Sequence, residues 1–128
     1  MVSRPLARFL AESRWEDVPA AVRHEARRSI LNVVGTALGG SADAALRRTE
    51  AALAPFSGPA EATVIGRGGR YDAMTAAYLN ALAGNVFDFD DTHPGTIIHP
   101  SAPVAPALFA WAERRPMTGA ELMHAFIL

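Results

Sequence analysis

The stretch NALAGNVFDFDDTHPGTIIHPSAPVAP, Asn80–Pro106, decides how this chain folds. If the residues leading into its aspartates form a buried strand, the aspartates cap a parallel sheet. If they form a helix, the aspartates lie in a loop between two helices. Composition separates the two. Ala73, Ala76, Ala77, Ala81, Ala83 and Gly84 dominate the preceding run, and alanine is the best helix former and a poor strand residue. Asp72 stands where a helix N-cap belongs. The run therefore predicts a helix from Ala73 to about Gly84, and its small side chains let a neighbouring helix approach closely. On the far side, Val104, Ala107, Leu108, Ala110 and Trp111 predict another apolar helix. Pro103 and Pro106 confine the regular part of that helix to its later half. The fold class is mainly α.

Upstream, the clearest periodicity runs from Pro19 to Gly40. Val22, Ala26, Ile30, Val33, Val34, Ala37 and Leu38 form one apolar stripe, with Arg23, Glu25, Arg27 and Arg28 turned away. His24 lies among those charges and reads as a surface residue, and Gly39-Gly40 reads as the C-cap. A shorter helix opens the chain at Ser3-Arg4-Pro5, with Ser3 as its cap and Leu6, Phe9 and Leu10 at helical spacing. Trp15–Val18 connects the two. A third helix starts at Ser41 or Asp43 and closes at Pro55 and the turn Ser57-Gly58-Pro59. The β-branched run in 62–66 predicts at most one short strand or extended segment. Gly66-Arg67-Gly68-Gly69-Arg70 lacks the spacing and the lysine of a phosphate-binding loop and reads as a turn with two solvated arginines.

Arg114-Arg115-Pro116 ends the later apolar helix. Thr118-Gly119-Ala120-Glu121 then fits the capping box and begins a last helix, in which His124 reads as a packing residue. This helix reaches Leu128 on an apolar pattern with no C-cap glycine and no basic last turn. The expectation is one helical domain over 1–128, incomplete and part of a longer protein.

Composition narrows the function classes. The net charge is −1, so bulk electrostatics offer nothing to nucleic acid or an anionic membrane. All twelve basic residues are arginine; without lysine the chain has no Schiff base and no ammonium acid or base. Cysteine is absent, which excludes disulfides and thiolate metal sites and fits a reducing cytoplasm. No apolar run approaches membrane-spanning length, and no signal-peptide core opens the chain.

Three of the six aspartates, Asp88, Asp90 and Asp91, and two of the four histidines, His93 and His99, fall within Asn85–Pro106. Like charges raise one another's proton affinity, so such crowding is costly and often marks chemistry. Four uses are open. Aspartate and histidine ligate divalent metals, although no paired-histidine spacing accompanies them. Asp88-Phe89-Asp90-Asp91-Thr92 matches D-x-D-x-T, the nucleophile loop of haloacid-dehalogenase-like phosphatases, which belongs at the end of a buried strand. Proton transfer is the third: histidine is the natural acid or base, a carboxylate can hold its tautomer, and a threonine hydroxyl can bind a substrate oxygen. The fourth is no chemistry at all, the chain being a helical dimerisation or binding module.

At these residues the chain resembles the MmgE/PrpD family, which includes 2-methylcitrate dehydratase and cis-aconitate decarboxylase. The hallmark is Asp88-Phe89-Asp90-Asp91-Thr92-His93, a short loop, then His99-Pro100-Ser101 leading into a helix. Similarity extends from Leu6–Phe9, through the Pro19 helix near Gly35 and Gly39, to Met117–Leu122. Three positions depart: Asn32 where aspartate is frequent, Asn85 where histidine is common, and Ala81 where glycine often follows Asn80.

The resemblance implies the N-terminal part of a large all-helical domain in a homodimeric lyase with a smaller α/β lid, with no cofactor and no obligatory metal. It implies dehydration of a 2-methylcitrate-like, or decarboxylation of a cis-aconitate-like, small polycarboxylate. His99, Asp88 and Thr92 match its catalytic positions; Asp91, His93 and Asn85 are candidates for touching substrate. A substrate with about three negative charges is repelled by three aspartates. These carboxylates are therefore expected mainly to cap helices, bind arginines such as Arg67 or Arg70, or orient His99.

Overall fold

The computed structural model describes residues 2–128. Among them the chain forms six α-helices: α1 (Ser3–Glu12), α2 (Ala20–Gly40), α3 (Ala44–Leu53), α4 (Ala73–Asn85), α5 (Ser101–Arg114) and α6 (Gly119–Ile127). A small antiparallel ribbon pairs β1 (Ala62–Thr63) with β2 (Arg70–Tyr71), Ala62 opposite Tyr71. The fold is mainly α. No helix among the described residues is long and apolar enough to cross a membrane.

Short polar side chains start α3, α4 and α6, because the first N–H groups of a helix have no partner inside it. Asp43 accepts from the Ala45 N–H at 2.7 Å. Asp72 accepts from Met74 and Thr75 N–H, each at 3.1 Å. Hydrogen bonds from Thr75 and Ser57 hold the Asp72 carboxyl well below the usual range. Thr118 and Glu121 form the expected capping box: Glu121 N–H donates to Thr118 Oγ1 at 3.2 Å, and Thr118 N–H donates to Glu121 Oε2 at 2.7 Å. The backbone bond from Thr118 lowers the Glu121 carboxyl in turn. The first helix departs from expectation. Ser3 lies inside α1, Val2 holds the cap position, and no side chain caps it.

The core is built on small residues. Ala37 of α2, Leu46 of α3, Ala62 and Val64 around β1, Ala76, Leu79 and Ala83 of α4, and Ala110 of α5 form one buried cluster. The alanine face of α4 lets α2 and α5 pack on it from two sides. Gly39 and Gly40 are not a C-cap but the last residues of α2. A Cβ on Gly40 would sit 2.1 Å from the Ala83 carbonyl oxygen, so close helix approach demands this glycine. Buried Asn80 ties α4 to the ribbon: its Oδ1 accepts from Ile65 N–H at 2.8 Å, and its Nδ2 donates to Thr63 C=O at 2.9 Å.

Two further expectations change. Helix α5 is regular from Ser101, not only in its later half. Pro103 falls among the first residues, whose N–H groups are unpartnered anyway. Pro106 is interior but fully buried, so packing offsets the hydrogen bond it removes. The turn between the strands does not carry two solvated arginines. Arg67 is largely covered, ion-paired with Glu50, and donates to Ser41 C=O at 2.9 Å. Arg70 is exposed, as expected, and pairs with Glu113 at 2.7 Å. Neither arginine reaches the aspartates of the 86–100 loop.

Candidate functional site

The loop 86–100 joins α4 to α5, and main-chain bonds fold its outer part back on itself. His93 N–H donates to Ile98 C=O at 2.9 Å, and Ile97 N–H to His93 C=O at 2.8 Å. Asp88 (φ 57°) and Ile97 (φ 55°) are both left-handed. Aspartate tolerates that region; a β-branched isoleucine does so only under strain.

Asp90 is the buried member of the acidic run, its side chain 0% exposed against 82% for Asp88. The Asn85 amide donates to both Asp90 oxygens at 3.2 Å. From α2, Asn32 grips the peptide groups on either side of Asp90, accepting from Asp91 N–H at 3.0 Å and donating to Phe89 C=O at 3.3 Å. His99 sits between the two carboxylates. Its Nδ1 is 3.1 Å from Asp90 Oδ1, and its Nε2 is 3.6 Å from Asp88 Oδ1. Nδ1 is buried and has no aligned hydrogen-bond partner.

The remaining candidates bond within the loop or to the start of α5. Thr92 is exposed, and its hydroxyl makes one long contact with Asp90 C=O, 3.4 Å. Both oxygens of Asp91 take up Ser101, the backbone N–H at 3.2 Å and the hydroxyl. His93 Nδ1 lies 2.8 Å from Thr96 Oγ1. The geometry thus brings together Asp88, Asp90, His99 and Asn85, and turns Asp91 and His93 to other partners. Asp90 and Asn32 were not among the candidates. The signals for them were the place of Asp90 within the acidic run and a polar Asn32 beside the apolar stripe of α2. Outside the loop, His24 is exposed on α2, and His124 is part-buried with Nε2 2.9 Å from Ser13 Oγ.

This arrangement limits the chemistry. Oxygens of Asp88 and Asp90 and a nitrogen of His99 lie within 4.8 Å of one another, close enough to consider a metal ion. However, the carboxylates approach opposite ring nitrogens. They bracket the imidazole, whereas ligands to one ion converge on one point. A phosphatase nucleophile loop is excluded by context, because the aspartates follow helix α4 and not a strand. What the bracket suits is an imidazole held in place to exchange a proton.

A helical scaffold presenting a carboxylate-bracketed imidazole is a setting for acid–base chemistry. The match to known families is direct: residues 4–128 fit the MmgE/PrpD N-terminal domain, and the chain belongs to this family. It is 30% identical over 112 residues to the cis-aconitate decarboxylase-like protein oryM of Aspergillus oryzae, covering 88% of this chain and 23% of that protein. It is 34% identical over 106 residues to the cis-aconitate decarboxylase of Mus musculus, covering 78% of this chain and 21% of that protein. The chain thus spans between a fifth and a quarter of the length of these relatives.

Proposed function

We propose that this chain is the N-terminal part of a cytoplasmic lyase that removes carbon dioxide or water from a small polycarboxylate. Family membership and the decarboxylase names of the relatives support the reaction class. The observation that carries it is the placement of His99 between Asp88 and Asp90. His99 moves a proton at the carbon next to a carboxylate, with Asp88 beside its Nε2 and Thr92 offering a hydroxyl to a substrate oxygen. Asn85 and His93 bond to the loop's own groups and Asp91 to the start of α5, which supports a role in shaping the loop over direct contact with substrate.

Charge bears on the rest of the site. The arginines in ion pairs hold glutamates: Glu12, Glu25, Glu50, Glu61 and Glu113. Among the described residues no arginine pairs with an aspartate of the loop, so the cations that bind a polycarboxylate are expected from the rest of the full-length protein, and the chain alone is expected to be inactive. In the full-length protein, His99→Ala lowers kcat by about 10²–10⁴-fold, the usual share of an acid–base group, with the fold intact by circular dichroism. Near-normal turnover of cis-aconitate or 2-methylcitrate by that variant rules out this role.

A homodimer is the proposed assembly. Exposed Leu6, Phe9 and Leu10 on α1 also favour a second reading, a helical association module without chemistry. A stable oligomer of a full-length protein that turns over neither compound would select the module.

A further inference from the structure

We infer that Asp90 is a positioning residue: its buried carboxylate takes the Nδ1 proton of His99, leaving the Nε2 lone pair to face the substrate, and Asn32 and Asn85 hold Asp90 in that pose. A buried carboxylate needs donors in place of water. Asn85 supplies one, at 3.2 Å from each oxygen. His99 Nδ1, 3.1 Å away, is the second polar nitrogen in reach. That nitrogen is itself buried without an aligned partner, so each group lacks what the other offers. A small rotation of the ring aligns them, and catalytic hydrogen bonds often tighten only in the substrate complex.

The support around Asp90 is built for this. Asn32 uses both ends of its amide on the peptide groups flanking Asp90, and an aspartate there would lose the donor to Phe89. Asn85 is a neutral donor and brings no second charge to compete with His99 for Asp90. Asp88 does not compete: 3.6 Å is too long for a hydrogen bond, and its exposed side chain leaves Nε2 open. The bond made by one ring nitrogen sets which form the other takes. The purpose of this device rests on the proton-transfer reading of His99; its geometry does not.

The test reads the ring directly. In this chain, carrying isotope-labelled histidine, long-range proton–nitrogen correlation spectra at a pH where imidazoles are neutral show which nitrogen holds the proton. An unconstrained imidazole favours Nε2–H, and exposed His24 serves as the internal reference. His99 is expected as Nδ1–H. Asp90→Ala is expected to move it to Nε2–H, matching His24, while Asn85→Ala, which removes one of the two groups holding Asp90, is expected to raise the Nε2–H share without reaching that of Asp90→Ala. An Nε2–H ring in the unaltered chain overturns the inference. So does a folded Asp90→Ala whose His99 stays Nδ1–H. If Asp90→Ala does not fold, the spectrum of the unaltered chain decides. The readout is a tautomer and not turnover, so failure of the lyase reading and failure of this one are distinguishable.

Discussion

Asp91 accepts both the backbone N–H and the hydroxyl of Ser101, the first residue of α5. Pro100, at the cap position, supplies no side-chain acceptor. Asp91 thus caps α5 from outside the helix, and its charge meets the positive end of the helix dipole. Asp91→Ala is expected to cost about 1–3 kcal/mol, the range for a cap and a charged hydrogen bond. The measurement is the urea midpoint at unchanged slope; a loss below about 0.5 kcal/mol, the level of an ordinary surface change, would remove this role. The density of the acidic run made the loop legible as a candidate site. Its division of labour was not legible. Alternating aspartates in a loop carry no periodicity to say which one is buried, and the grip of Asn32 joins positions 57 and 59 residues apart.

Among the elements, what was legible is what short-range chemistry decides. The caps at Asp43, Asp72 and Thr118, the capping-box glutamate and the alanine-rich α4 all depend on neighbours within a turn. The second strand, Arg70–Tyr71, depends on pairing across a turn. Burial of Arg67 depends on Glu50 of α3. Regularity of α5 through Pro106 depends on tertiary packing. Gly40 is the sharpest case, because a glycine near a helix end reads as a cap when the real constraint is a carbonyl on another helix. Two substitutions in α2 separate these causes. Gly40→Ala forces α2 off α4 and is expected to cost about 1–3 kcal/mol, as overpacking does. Gly35→Ala meets nothing within 4 Å and is expected to stabilise by about 0.4–1 kcal/mol through the unfolded chain. Thermal denaturation of both variants checks the pair, and equal effects would mean that the contact with Ala83 is not the constraint.

At the scale of the molecule, surface area exceeds what a compact chain needs. A folded monomer of 13.6 kDa exposes roughly 6,600 Å², whereas this chain exposes 8157 Å². The excess, about 1,600 Å², is roughly twice the area, about 800 Å², that one partner contributes to a standard protein–protein interface. Part of it lies on α1, which buries no residue at all and leaves Leu6, Phe9 and Leu10 between 44% and 59% exposed. Isolated helices shorter than about 12–15 residues are marginal in water, so α1 is expected to depend on whatever covers its apolar face. In this chain alone, amide hydrogens of α1 are then expected to exchange far faster than those of α4. Phe9→Glu is expected to change stability by no more than about 0.5 kcal/mol, as for a surface position. Leu79→Ala, in the fully buried core, is expected to cost about 2–5 kcal/mol. Burying the α1 face in the assembled protein reverses the first two results: exchange slows, and Phe9→Glu becomes costly. Slow exchange of α1 in the chain alone, with Phe9→Glu as damaging as Leu79→Ala, would show that α1 is anchored from within and that its apolar face awaits no partner.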